Sequence, residues 1–400
     1  MSARRTALVG GLMVAAGPLS ILLYGPALPS IVADLGTTDA LGKLSLSAYL
    51  GAFAVAQLLC GPLSDTLGRR RVTAMFFAIY VIGSLVAVLG PSIEWLLVGR
   101  VLQGIGVSVG VALSRAMVRD QFVGRESVRI LTLINLILTV TPLVSPTLGS
   151  LLLLAGNWHL LFVVMALYGV AIIVLTGVVT RETHPPERRV PFRPAGVLRN
   201  YWLLLRSPSF MLPGLLLGLV FGGFNGFATL LPFALINEIG LTPFQFAMFM
   251  LVQTFSFISG NVLAGMLTRR LSGQSMIRAG VPFIVLAGIG FLIGPLVAPG
   301  HALSVMVPVA IWMLGLALIG PTATAAAMAN FGSIAGAAGA LTGVFQVAGG
   351  FLASLLASLA FERSSTALMV MMPVLAVLTV IVAMALRVRE RSAEIVPPET

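Results

Sequence analysis

Charge is scarce in this chain. Only 9% of its 400 residues are Asp, Glu, Lys or Arg, against roughly 25% in soluble domains. Cysteine occurs once, at Cys60, which excludes an internal disulfide and any Cys-x-x-Cys metal site. The three histidines, His159, His184 and His301, are too scattered to form a metal cluster, so no metal is expected. No Ser–His pair, His-Glu-x-x-His run or paired interior carboxylates stand out, which sets aside an intramembrane enzyme. None of the 13 acids lies deep in an apolar run, and Lys43 is the lone lysine among 24 basic residues. What fills the chain is apolar side chain, 58% of all residues. A soluble core of this length could not hide that much. An all-α membrane protein follows, because a helix satisfies its own backbone polar groups in lipid.

The net charge of +11 could suggest nucleic acid, but the arginines cluster in short turns between apolar runs. There they set orientation and meet anionic headgroups. The most telling turn is Gly61-Pro62-Leu63-Ser64-Asp65-Thr66-Leu67-Gly68-Arg69-Arg70-Arg71, which the positive-inside tendency places on the cytoplasmic face. Taking about 20 apolar residues per span, the sequence predicts spans near 7–33, 43–64, 72–90, 94–118, 128–155 and 158–180. A second set is predicted near 209–237, 242–267, 278–298, 302–328, 336–360 and 365–387. That makes twelve transmembrane helices with both termini cytoplasmic, and 21 of the 24 basic residues then fall on one face. Met1 to Arg5 and the run after it read as an uncleaved first span.

The polar stretch after Arg181 divides the chain. The expected domains are a six-helix bundle at 1–180, a cytoplasmic linker with a short surface helix at 181–208, a second bundle at 209–387 and a tail at 388–400. Gly61–Gly68 aligns weakly with Gly265–Ser272, and Tyr24–Pro29 with Phe227–Pro232, at nearly one offset. Two pseudo-repeated halves with a cavity between them suit a transporter.

With those residues in hand, the chain resembles the major facilitator superfamily, and within it the Bcr/CflA (bicyclomycin-resistance) branch of multidrug efflux proteins. The pieces are Tyr24-Gly-Pro-Ala-Leu-Pro29, Leu46-Ser-Ala-Tyr-Leu50, Gln57 with Gly61-Pro-Leu-Ser-Asp65, Arg100-Val-Leu-Gln-Gly104 and Ser114-Arg-Ala-Met-Val-Arg-Asp120. Ser145-Pro-Thr-Leu-Gly149, Trp158 with Phe162, Glu182 through Arg189, Leu231-Pro-Phe233 and Ala335 to Leu341 complete the match. The resemblance implies the major facilitator fold, export of small drug-like compounds by alternating access, and proton-coupled antiport in a bacterial inner membrane. No cofactor is implied beyond the proton gradient. The implied partners are the small-molecule substrate and protons, in a monomer. The apolar surface adds membrane lipids, and no nucleic acid. One departure stands out: where the family carries an acid in the first span, this chain has Leu22.

Arg100 is the sharpest single residue. A buried arginine is costly in a membrane, so it either faces a wet cavity or bonds backbone carbonyls of a broken first span. Gln103 lies one turn on. The resemblance links the matching arginine to proton transfer and substrate response. An alternative is a carrier of an anionic or zwitterionic metabolite, with Arg100 as counter-ion; a non-transporting receptor is a remote one. Gly61, Asp65, Gly68, Arg69 and Asp120 form the expected conformational gate: the resemblance implies that Asp65 meets the start of the eleventh span near Gly336–Gly339, and Arg69 is expected to pair with Asp120. Pro142, Pro146 and Gly149 match an antiporter motif by the same resemblance. Interior amides and aromatics nominate Tyr24, Tyr49, Asn135, Phe224, Asn225, Phe227, Gln253, Asn261 and Gln346 as substrate contacts or interhelical glue. Asn225 is preferred, since glycines and Pro232 around it suggest a mid-membrane interruption. Lys43 and Glu238 flank the external mouth, as a gate, a proton entry point or simply solvated charges.

Overall fold

The computed structural model describes residues 2–189 and 191–395, and the last residues of the expected tail, 396–400, lie outside them. It is helical, with no strand among the described residues. Eleven helical stretches are long and apolar enough to cross a membrane, and a twelfth is a bent pair at Gly124–Ala155. In chain order the helices of the first half are α1 (Ala3–Leu22), α2 (Leu28–Asp34), α3 (Asp39–Leu67), α4 (Arg69–Leu89), α5 (Ile93–Val107), α6 (Val109–Gln121), α7 (Gly124–Ala155) and α8 (His159–Val178). A linker helix, α9 (Pro194–Arg206), precedes α10 (Pro208–Pro232), α11 (Pro243–Leu267), α12 (Gly273–Val297), α13 (Leu303–Met328), α14 (Ala335–Ala360) and α15 (Ser364–Ile395). Alternation places the linker, the Gly68 turn and the start of α14 at one end of the bundle. The other is called the far end below.

Two large apolar cores hold the halves. One gathers Met13, Tyr49, Phe77, Phe162 and their neighbours; the other gathers Phe227, Phe291, Trp312 and Met372. Apolar side chains such as Leu154, Leu167, Val297 and Leu359 point outward, as lipid-facing positions must.

Four boundaries differ from the sequence expectation. The first span is broken: α1 stops at Leu22, a 3-10 turn covers Gly25–Ala27, and α2 resumes at Leu28. Pro26 and Pro29 supply no N–H to the helix ladder, which accounts for the break. The fourth span divides at Ser108, whose hydroxyl donates to the Ile105 carbonyl at 2.7 Å and so competes with the helix ladder. The helix around Asn225 runs unbroken to Pro232. The expected interruption falls instead at Phe233–Glu238, a wider π-helical turn at the far end. Finally, α15 continues to Ile395, past the predicted end at Arg387.

Proline also explains how the halves meet. Pro142 and Pro146 lie in α7, which bends by 44° there. Pro146 cannot donate to the carbonyl of residue 142, four positions back. Thr254 of α11, in the other half, points its hydroxyl at that carbonyl at 3.4 Å. Pro62 likewise frees the Leu58 carbonyl in α3, and Tyr201 of the linker helix donates to it at 2.8 Å. Tyr201 and Leu204 pack with Phe210, Phe331 and Leu341 of the second half, so α9 straps the two halves at the linker end. Burial pushes the Tyr201 phenol up to about 12, which keeps it a donor at ordinary pH. Tyr201→Phe leaves a buried carbonyl without its donor, worth about 1–3 kcal/mol. Thermal unfolding should register the loss, and protease cleavage near Arg193 should quicken. Unchanged cleavage and melting would show that the strap does not depend on this bond.

Candidate transport site

Arg100 sits at the centre of the first half with 0% exposure. Glu94 opens its helix at the far end, and Arg100 follows about two turns in. Its guanidinium lies between two tyrosine rings, 4.6 Å from the Tyr24 centroid and 4.4 Å from that of Tyr49. Such contacts are stronger when desolvated. Nη1 donates to the Ser20 carbonyl at 3.2 Å and to Oε1 of Gln103 at 2.7 Å. Ser20 lies in the last turn of α1, where carbonyls run out of helical donors; the break in the first span therefore creates the arginine's acceptor. Gln103 passes the chain on, donating to Ser84 at 2.8 Å. Around it Tyr80 bonds Ser20 at 2.7 Å, Tyr24 bonds Ser45 at 2.8 Å and Tyr49 donates to the Gly17 carbonyl at 3.0 Å.

Arg100 bonds a carbonyl of the broken first span, while its Nε and Nη2 have no protein partner. Two fixed donors in a desolvated place can hold a water, an anion or a polar substrate group. No carboxylate pairs with Arg100 among the described residues.

The other nominated contacts separate into groups. Tyr24 and Tyr49 form the cage around Arg100 and are fully buried, so they are not an open wall in this conformer. Phe227 belongs to the second core, with Phe224 edge-on at 5.8 Å and Phe291 stacked at 6.5 Å. Asn225 bonds back to Phe221 of its own helix at 3.0 Å and packs against Gly350 of α14. Asn261 does the same with Phe257 at 2.8 Å. Gln346 reaches Thr324 at 3.5 Å, and Asn135 is exposed on α7. Gln253 is different: it is buried and its Oε1 has no partner. Gln57, quoted above only as part of a motif, is alike, with its Oε1 unpartnered and its amide against Gly343 of α14. Its sequence signal was plain, a single amide inside an apolar run.

Most residues of the expected gate join in one network. Arg69 is buried and bridges two acids, 2.6 Å from Asp65 and 3.2 Å from Asp120, with Ser64 as a further acceptor. Glu182, unassigned by the sequence reading, accepts from the backbone N–H of Arg69 at 2.9 Å and of Arg70 at 3.2 Å. It thereby caps the start of α4, where a carboxylate is favoured. Gly68 between them has φ +95°, and a Cβ there would land on that carboxylate; glycine is required twice over. Asp65 is 49% exposed on its side chain and, from the last turn of α3, pairs across the Gly68 turn with the first residue of α4. The contact expected with the first turn of α14 is not formed in this conformer, and Gly336 there has open space around it. Gly61, by contrast, touches nothing that constrains it.

Hydrogen bonds between the halves gather toward the far end. Ser47 of α3 donates to Ser354 of α14 at 2.7 Å, and Thr229 of α10 reaches the same hydroxyl at 3.2 Å. Ser150 of α7 donates to the Pro243 carbonyl at 2.8 Å. Gly149, beside it, packs so closely on the first-span break that a Cβ would overlap the Leu23 carbonyl. The far mouth is therefore shut. Lys43 and Glu238 are not the solvated pair that a loop position suggests. Lys43 is buried in the seam, and Glu238 accepts from the Ser364 and Ser365 N–H groups at 2.6 and 3.3 Å, capping α15.

Comparison with known proteins fits this geometry. The description of the Major Facilitator Superfamily matches residues 8–358. An uncharacterized MFS-type transporter, YdgK of Bacillus subtilis, is 31% identical over 346 residues, covering 86% of each chain. Multidrug resistance protein D of Escherichia coli is 29% identical over 351 residues, 87% of each. The bicyclomycin resistance protein homolog of Haemophilus influenzae is 25% identical over 362 residues, 90% of this chain and 91% of that one. Among solved structures, a D-xylose–proton symporter superposes with a TM-score of 0.75 at 15% identity, over 95% of this chain and 97% of that one. Such a likeness speaks for the fold alone. A multi-pass helical bundle with two cores, a polar seam and a family match over most of its length is a transporter rather than an enzyme, and the chain belongs to the Major Facilitator Superfamily.

Proposed function

We propose that the chain exports small drug-like compounds across a bacterial inner membrane by alternating access, driven by proton antiport. The observation that carries this is the similarity, over 87% and 90% of the chain, to proteins named for multidrug and bicyclomycin resistance. On this reading the linker end and both termini are cytoplasmic, and the structure is the conformer closed to the outside. Arg100 offers two donor nitrogens without a protein partner inside the first half, and it never loses its own proton in a protein. It therefore acts on a proton carried by something else, a bound water or the substrate, by stabilising the negative partner. Leu22, in the position of the family's acid, is buried and apolar.

The test is export from energised proteoliposomes across a small drug panel, with an imposed pH gradient. Expected is accumulation that follows the gradient and collapses with a protonophore. Transport indifferent to both pH gradient and membrane potential would end the antiport reading while leaving family and fold untouched. A second reading is favoured by the absence of any carboxylate paired with Arg100 among the described residues: the free donors take an anionic metabolite. Then Arg100→Met would lose anions alone and leave neutral compounds bound.

A further inference from the structure

The chain's only lysine lies where the halves meet. Lys43 is in the second turn of α3, and is 1% exposed. Its Nζ is 5.4 Å from the ring centre of Phe233, across the seam. Its carbonyl takes the Ser354 hydroxyl of α14 at 3.5 Å. Here, then, is an ammonium buried in the closing surface of the far mouth.

The charged groups around it do not neutralise it. Asp39, one turn earlier on α3, and Glu238, at the end of the π-turn, are the acids that act on it. Glu238 is committed to the start of α15. On α2, Asp34 accepts from the Trp158 indole at 2.8 Å. Glu94 and Arg100 are the ionisable groups of α5, and Glu94 bonds Ser92. The arginines of α4 and α6 lie at the linker end, and α10 and α14 carry no ionisable side chain. No carboxylate stands within ion-pair distance of Lys43 among the described residues.

We infer that Lys43 is a gating residue whose protonation sets the balance between closed and open far mouth. Closing strips water from the ammonium and returns a ring face, a backbone neighbourhood and two acids that stand beyond ion-pair distance, which repays desolvation poorly. Opening rehydrates it. A proton on Lys43 therefore favours the open mouth, and its loss favours the closed one. Acid on the far side opens; alkali closes. An arginine in this place would hold its charge at any ordinary pH, whereas a lysine can give it up. This rests on the alternating-access reading, because it needs a second conformer with the far mouth open.

The experiment places spin labels at Asn157→Cys and His301→Cys, exposed positions on far-end loops of the two halves, in a Cys60→Ser background. Distances are read in lipid nanodiscs from about pH 6 to about pH 10. With Lys43 present, the open-to-closed ratio should rise about tenfold from the alkaline to the acid end, the change given by one unit of differential protonation. Lys43→Gln should stay closed across the range. Lys43→Arg should be shifted open across the range, and neither variant should respond to pH. Opposite displacements by a neutral and a permanently charged residue are not the mark of a merely structural side chain. A pH response that survives in Lys43→Gln, or two conformers whose ratio ignores pH with Lys43 present, would overturn the gating role and leave alternating access standing. A single distance that neither substrate nor variant moves would remove the open conformer, and with it the alternating-access reading.

Discussion

Arg100→Met should abolish export and leave the fold standing. The expected loss is about a hundredfold or more in transport rate, equivalent to roughly 2.7 kcal/mol on the limiting barrier. Stability is a balance of two terms. The variant leaves Oε1 of Gln103 and the Ser20 carbonyl without their donor, at about 1–3 kcal/mol for each buried group. It also removes a desolvated, unpaired charge, and replacing such charges by apolar side chains of similar size is often neutral or stabilising. Melting in detergent should accordingly move little. Arg100→Lys is the instructive companion. An ammonium cannot lie flat between the Tyr24 and Tyr49 rings or keep the same fork of donors, so it should fail in transport despite keeping the charge. Export near the parental rate in either variant would reduce Arg100 to a packing residue.

Gly149→Ala is expected to damage the protein through one methyl group. The added Cβ would overlap the Leu23 carbonyl, which is backbone and cannot swing aside. Overpacking of this kind costs about 1–3 kcal/mol. The site matters further because Leu23 lies in the break that turns the end of α1 toward Arg100. A retreating α7 would disturb the break, and the bend at Pro142 and Pro146 limits how it can adjust. The measurement is a melting curve beside a transport assay. Gly265→Ala is the control, since nothing crowds that position, and alanine suits a helix interior better than glycine. If both substitutions melt alike, the close approach carries no weight.

How much of this was readable beforehand depends on range. The sequence expects Asp65, Arg69 and Asp120 together, and the structure joins them, because a charged turn between apolar runs has few places to put its charges. Glu182 has no role legible in the sequence; only the approach of the post-α8 segment to the Gly68 turn gives it one. Tyr24 and Tyr49 are candidates for substrate contact or interhelical glue, as interior aromatics beside polar groups invite. The structure wraps both around Arg100, which periodicity cannot say, since it does not choose between two buried faces. Asn225 draws attention by its glycines, yet those glycines serve close packing: Gly222 and Gly226 against α14 and Gly223 against Trp312 of α13.

Composition and charge by themselves determined that this is a membrane-spanning helical bundle, where its spans fall and which face gathers the arginines. Lipid forces that outcome, because it solvates neither backbone nor charge. Which carbonyls the prolines release, and who answers them, was settled only by tertiary packing: Thr254 for Pro142, Tyr201 for Leu58. The same holds for Lys43, a loop-edge charge in the sequence and a buried cation in the seam, since burial is a property of what the other half lays over it.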